Sequence, residues 1–135
     1  MELVVDANIL FAALIKVSAT SDLIVDNSLN LFSVEFIFEE FEKYKDLIKE
    51  KTERTENEFD RFMEIIKKRI TLIPYEEFDL FIDETEKFSP DLKDTEYLAL
   101  AMKLKCALWS NDKKLKTQDK VKIYSTEDLI NGLNK

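Results

Sequence analysis

Five short runs of strand length set the frame of this chain, and helical spacing fills most of the gaps between them. The runs are residues 2–6 (ELVVD), 30–34 (NLFSV), 70–74 (ITLIP), 106–110 (CALWS) and 120–124 (KVKIY). The first is a short apolar run rich in Val, the second and third are further strand candidates, the third ended by Pro74, and the fourth reads as a buried strand. The fifth alternates Lys120, Val121, Lys122 and Ile123, which predicts an edge strand. Ile9, Leu10, Ala13 and Leu14 have helical spacing over 8–16, and Ser21-Asp22 reads as the start of another helix. Residues 35–50 repeat Ile37, Phe38, Phe41, Tyr44, Leu47 and Ile48 at threes and fours. Residues 55–68 carry the stripe Phe59, Phe62, Met63 and Ile66. A helix is expected over 76–87, and another from Ser89 (N-cap) and Pro90 (first helical position) to about 105. Ser125 caps a last helix over 125–133. Strands joined through helices imply an α/β fold: one domain over 1–135, a three-layer α/β/α sandwich with a mostly parallel central sheet.

Composition narrows the chemistry. The chain has no histidine, which removes Ser-His and Cys-His catalysis and every imidazole metal site. Its one cysteine, Cys106, can form no internal disulfide and reads as a small core residue. Its one glycine, Gly132, rules out glycine-rich phosphate loops. A metal must therefore be held by oxygen, which suits Mg²⁺ or Mn²⁺. The net charge of −8 argues against a broadly basic nucleic-acid surface but permits a local basic rim around an acidic pocket. No apolar run approaches the roughly 18 residues of a membrane span, and Glu2 with a first lysine at Lys16 does not read as a signal peptide. The expected location is cytoplasmic, with no membrane partner.

Most of the 28 acidic residues belong to solvated helix faces. A few stand where a carboxylate is costly. Asp6 follows LVV at a strand end, where it loses hydration unless something compensates. It is a helix cap, a ligand, or both. Asp112 follows the CALWS strand, in a context (SND) that also suits an ordinary turn. Asp94 precedes the apolar YLALAM, and a helix N-terminus favours an acid there by its dipole alone, as it does for Asp91. Glu39 and Glu40 sit between Phe38 and Phe41, and periodicity does not choose between them. Sites in parallel α/β sheets form at the carboxyl ends of strands, so Asp6 and Asp112 are expected in one crevice. Gathered carboxylates repel one another, and one or two divalent cations remove that penalty, an arrangement suited to phosphoryl chemistry.

These segments resemble the PIN-domain family, metal-dependent ribonucleases that include VapC-type toxins. LVVDAN is similar to the family's opening apolar-apolar-apolar-Asp-x-Asn, which gives Asp6 and Asn8. FIFEEFEKY resembles its glutamate helix, where the acid precedes an apolar residue; that selects Glu40. DTEYLALAMKLKCALWSNDKKL resembles its third block and gives Asp94, Ser110 at the Thr/Ser position, and Asp112. The resemblance covers the whole chain in order. It implies hydrolysis of RNA phosphodiesters by a metal-bound water. Asp6, Glu40, Asp94 and Asp112 would be the catalytic acids and ligands of one or two Mg²⁺ or Mn²⁺ ions, with Asn8 and Ser110 orienting them. Some members carry a further acid; here Lys113, Lys114 and Lys116 follow Asp112, with Asp119 more remote. Those lysines read as a solvated turn or as a rim for the RNA backbone. Lys43, Lys45, Lys49 and Lys51 have the same two readings. The resemblance also raises an antitoxin protein as partner. Phe32, Phe36, Phe38 and Phe41 read mainly as core, any exposed ones offering a homodimer surface or a peptide groove.

Two other phosphate-handling classes fit poorly. A haloacid-dehalogenase-type phosphatase needs a second Asp two residues after the first, where this chain has Asn8. A phosphate-receiver domain needs an acceptor Asp ending a later strand, where this chain has Ile73-Pro74. The remaining alternative is a PIN-like domain that binds RNA or protein without cutting.

Overall fold

A computed structural model describes residues 1–133. Its five strands are β1 (Glu2–Val5), β2 (Asn30–Val34), β3 (Ile70–Ile73), β4 (Ala107–Trp109) and β5 (Ile123–Tyr124). They form one sheet in the order β3-β2-β1-β4-β5, with every pairing parallel. Leu3 pairs with Leu31 on one side and Ala107 on the other, and Val5 pairs with Trp109. Leu3, Val4 and Val5 are all fully buried, as a central strand covered on both faces requires. Each contributes roughly 1.5–3 kcal/mol of burial, so a carboxylate next to them sits in an expensive place.

The helices are α1 (Ala7–Ile15), α2 (Ala19–Ile24), α3 (Ile37–Lys51), α4 (Glu56–Arg69), α5 (Ile82–Glu86), α6 (Thr95–Leu104) and α7 (Thr126–Leu133). α6 packs on β1, β2 and β4, with α5 against it. Its buried Leu98, Ala99, Leu100 and Ala101 combine bulk with small residues that let the helix approach the sheet closely. α1 packs against α2, α3 and α4. The three-layer α/β/α architecture follows, with the sheet wholly parallel rather than mostly so.

Arginines tie the connections down. Arg54 donates to the carbonyls of Leu14 (3.2 Å) and Ala13 (3.0 Å) at the end of α1. Its guanidinium lies 4.3 Å from the centre of the Phe62 ring. Arg69 donates to the carbonyls of Ile24, Asp26 and Leu29, closing the turn between α2 and β2.

Several boundaries differ from the sequence reading. Ser18, not Ser21, caps α2; Ser21 is the reciprocal member of that capping box, and its hydroxyl receives the Ser18 amide at 2.9 Å. The helix expected over 76–87 is broken into 3-10 turns at Tyr75–Glu77 and Asp79–Phe81, followed by α5. Phe78 interrupts it with φ −129° and ψ 4°, a conformation that buries its ring against the core while Leu80 is left 91% exposed. Pro90 does not open a helix. Asp91 instead caps a 3-10 turn (Leu92–Asp94), accepting the Lys93 amide at 3.0 Å, and α6 begins at Thr95. β5 is only two residues long, and a 3-10 turn (Lys113–Thr117) occupies the β4–β5 connection. Cys106 is half-buried at the margin of the core rather than within it.

Candidate functional site

The strand order reverses between β1 and β4: from β1 the chain winds outward to β2 and β3, then returns to β4 on the other side. A parallel sheet opens a crevice at such a reversal, outside the carboxyl ends of its strands. Asp6 and Asp112 come off the two strands that flank it. The Asp6 amide donates to the Trp109 carbonyl at 3.4 Å, and the buried Ser33 hydroxyl donates to the Val5 carbonyl at 2.8 Å, so the end of β1 is held from both sides.

A crevice of about 630 Å³ lies over this point. Asp6, Glu40, Asp94 and Asp112 all line it, as does Asn8. They arrive from the end of β1, from α3, from the start of α6 and from the loop after β4. Asp91, Glu96, Tyr97, Lys43 and Lys93 line it too. Glu96 and Tyr97 were not legible as candidates, because only the docking of α6 turns its first residues toward the crevice. Phe36 and Tyr44 also face it, each four positions from Glu40 on α3, and that spacing was available in the sequence.

The individual carboxylates are held differently. Asp6 is 5% exposed and caps α1, its Oδ1 accepting the Ile9 amide at 3.0 Å. The cap reading is therefore correct, and it engages one oxygen. Asp112 uses Oδ1 to accept the Lys114 amide at 3.0 Å, and its own amide donates to the buried Ser110 hydroxyl at 3.1 Å. Asp94 stands at the N-cap of α6 but makes no capping bond with its side chain. Glu40 is exposed in the first turn of α3.

Charge has accumulated here. Burial pushes the Asp6 carboxyl above its ordinary range, and Asp112 adds to the rise against hydrogen bonding by Ser110 and the Ile9 amide. Asp94 is pushed up to about 6, first by burial, then by Asp112, Asp91 and Asp6, with Lys114 opposing. Burial raises Glu96. The Tyr97 phenol is raised by burial and by Asp6, Glu40 and Glu96, so it stays protonated beside them.

Among the described residues, no three carboxylates are gathered tightly enough to hold one ion as the side chains lie. The donor chemistry nevertheless fits a hard cation: the acidic donors offer oxygens only, and Asp6 and Asp94 are raised first by burial and then by their acidic neighbours. The lysines after Asp112 divide. Lys114 is near enough to act on Asp94, whereas Lys116 is ion-paired with Asp128 at 2.7 Å; neither these two nor Lys113 lines the crevice. On α3, Lys43 lines the crevice, and Lys49 pairs with Glu56 at 3.4 Å.

Comparison with known proteins bears on fold and family. No curated protein matches the chain in sequence. Among solved structures, the chain is similar to one in the crystal structure of VapBC2 from Rickettsia felis bound to a DNA fragment from their promoter. The TM-score is 0.66 at 12% identity, over 93% of this chain and 98% of that one. The family model described as PIN domain matches residues 4–130, which take in all four acids and every strand except Glu2 and Leu3 of β1. The chain belongs to the PIN-domain family.

Proposed function

We propose that the crevice is the active site of a metal-dependent endoribonuclease that hydrolyses RNA phosphodiester bonds with Mg²⁺ or Mn²⁺. One observation carries this reading: Asp6, Glu40, Asp94 and Asp112 come from four separate segments and line a single crevice at the reversal of the sheet. These four would hold one or two ions. Bound there, a divalent ion supplies an activated water and offsets the charge of the phosphate.

The chain's own residues do the positioning. The Ile9 amide on Asp6 Oδ1 fixes that carboxylate at the crevice. Ser110 fixes the loop that carries Asp112. Asn8, exposed at the crevice, offers an amide to a phosphate oxygen or a water. Lys43 and Lys93 line the crevice, with Lys113 and Lys114 beyond it, and these attract the RNA backbone. The similarity to a chain in a VapBC2 complex supports a toxin bound by an antitoxin. A second copy of the chain is a further proposed partner, with Leu47, exposed on α3 outside the crevice, as an apolar contact. Among the described residues no helix is long and apolar enough to cross a membrane, which fits the proposed cytoplasmic location.

The second reading, a PIN-like module that binds RNA or protein without cutting, draws on the open arrangement of the carboxylates. Incubating the purified protein with mixed cellular RNA separates the two. The nuclease cleaves with Mn²⁺ or Mg²⁺, stops in EDTA, recovers on adding excess metal, and loses at least a hundredfold in Asp6→Asn. A binding module cleaves in none of these conditions.

A further inference from the structure

The crevice that gathers the acids also carries two exposed aromatic rings. Phe36 is 44% exposed and Tyr44 is 41% exposed, and both line it beside Glu40. Phe36 is the N-cap residue of α3, and Tyr44 lies two turns on. The Phe36 carbonyl receives the Glu40 amide at 3.2 Å, placing Glu40 one turn on, and Tyr44 follows one turn later. With a rise of 1.5 Å per residue, the backbone positions of the two aromatics are set about 6 Å before and about 6 Å after Glu40 along the helix axis. Exposed apolar rings are costly in a water-filled acidic cleft, and core packing does not account for these two. Phe41 packs edge-on against Phe11 at 4.8 Å and touches Phe38, whereas among the described residues neither Phe36 nor Tyr44 packs against another aromatic ring.

The charge of the crevice sharpens the question of what holds a polyanion there. Six of its lining side chains are carboxylic acids and two are lysines. Phosphate contacts alone give such a cleft little affinity for nucleic acid. Base stacking on aromatic faces is neutral, tolerates every sequence, and contributes substantially per base. Stacked bases within a strand lie about 3.4 Å apart, whereas the two aromatics leave the helix about 12 Å apart, a spacing that does not match neighbours in a continuous stack. They suit bases splayed to either side of an intervening phosphate. The Lys43 ammonium lies 5.6 Å from the centre of the Tyr44 ring, where it steadies the ring and meets the backbone of a bound strand.

We propose that Phe36 and Tyr44 are base-stacking platforms that grip single-stranded RNA by the nucleotides flanking the phosphate that passes Glu40. The proposal rests on the crevice being the RNA site, but stacking is measured by binding and needs no hydrolysis. The test uses a fluorescein-labelled single-stranded oligoadenylate, the same strand annealed to its complement, and an abasic strand of equal length. Affinity is read by anisotropy in low salt with EDTA. Phe36→Ala and Tyr44→Ala each weaken single-strand binding about tenfold, the range expected for loss of one base–aromatic stack. Binding of the abasic strand is unchanged, and the duplex binds more weakly than the single strand. Tyr44→Trp keeps the affinity, and its new indole emission, read as the difference from wild type, is quenched by the oligoadenylate but not by the abasic strand; the native Trp109 is fully buried and supplies a constant background. Equal affinity in wild type and both alanine variants, an unquenched indole, or no binding by wild type overturns the proposal. So does a sedimentation result in which the alanine variants only split a dimer. Cleavage assayed in parallel separates the two claims: stacking without cleavage removes the nuclease, and cleavage with unchanged KM in Phe36→Ala and Tyr44→Ala removes the platforms.

Discussion

The buried hydroxyl of Ser110 accepts the backbone amide of Asp112 at 3.1 Å and also acts on the carboxyl of Asp6. One side chain at the end of β4 therefore steadies two of the acids that flank the sheet reversal. Ser110→Ala removes both contacts with little change in volume. The expected outcome is a 10- to 100-fold loss in Mn²⁺ affinity and in RNA cleavage, the range seen when partners of metal ligands are removed. Ser110→Thr restores most of it. Unchanged affinity in the alanine variant separates Ser110 from the site.

Acid crowding makes a prediction about stability without metal. The Asp94 carboxyl is raised from 3.8 to about 6, so the folded state holds its proton more tightly than the unfolded chain does. Its stabilising share is fully present below about pH 4 and is lost as pH rises through about 6. Asp94→Asn removes that loss. In EDTA at pH 7.5 the variant is expected to be more stable than wild type by about 1 kcal/mol, an amount reduced by solvent access to the half-buried group. At pH 4 the two should unfold alike. Thermal melts at the two pH values read this directly.

Metal should reverse that ranking. A ligand that binds only the folded state raises stability by RT ln(1 + [L]/Kd), about 2.7 kcal/mol at a hundredfold excess over Kd. Saturating Mn²⁺ is therefore expected to raise the melting temperature of wild type by several degrees and that of Asp94→Asn much less.

Arg54 links the front of the fold to the helix that begins at Asp6. It serves two carbonyls at the end of α1 and lies over Phe62, while the Thr52 hydroxyl lies within 3.1 Å of the Leu14 carbonyl. Arg54→Ala is expected to cost about 2–3 kcal/mol in urea unfolding. Arg54→Lys should recover little, because an ammonium cannot reproduce the planar fork.

A small gain is available at the end of α6. Lys105 adopts φ 55° and ψ 45°, with the Cys106 amide donating to the Ala101 carbonyl at 3.1 Å. This left-handed cap normally takes glycine. Lys105→Gly is expected to stabilise by up to about 1 kcal/mol, visible as a higher urea midpoint at unchanged slope.

Much of this molecule is written locally. The runs ending at Val5, Val34 and Trp109 are apolar because their strands lie inside the sheet, and that pattern needs no tertiary knowledge, whereas β3 is an edge strand whose Thr71 and Leu72 are exposed. Asp6 and Asp112 were legible for the same reason: each follows such a run. Local chemistry gave more than one answer elsewhere. Ser18 and Ser21 both suit a helix start, as do Ser89 and Asp91, and tertiary contacts decide which is used. The spacing of Phe78, Phe81, Ile82 and Thr85 is helical whether or not the backbone breaks at Phe78. Glu40 was separable from Glu39 only by family resemblance, because both precede a buried turn of α3. Lys116 looked like a neighbour of Asp112, but its partner Asp128 is 12 residues on, beyond the reach of a local pattern.

Whether the four carboxylates act as one cation site is measured most directly by Mn²⁺ binding in a calorimeter. Wild type is compared with Asp6→Asn, Glu40→Gln, Asp94→Asn and Asp112→Asn at pH 7.5. Saturable binding by wild type and at least a tenfold weaker Kd in each variant are expected, with circular dichroism unchanged. No Mn²⁺ binding by wild type, or wild-type affinity retained in Asp6→Asn and Asp112→Asn, contradicts one shared cation site.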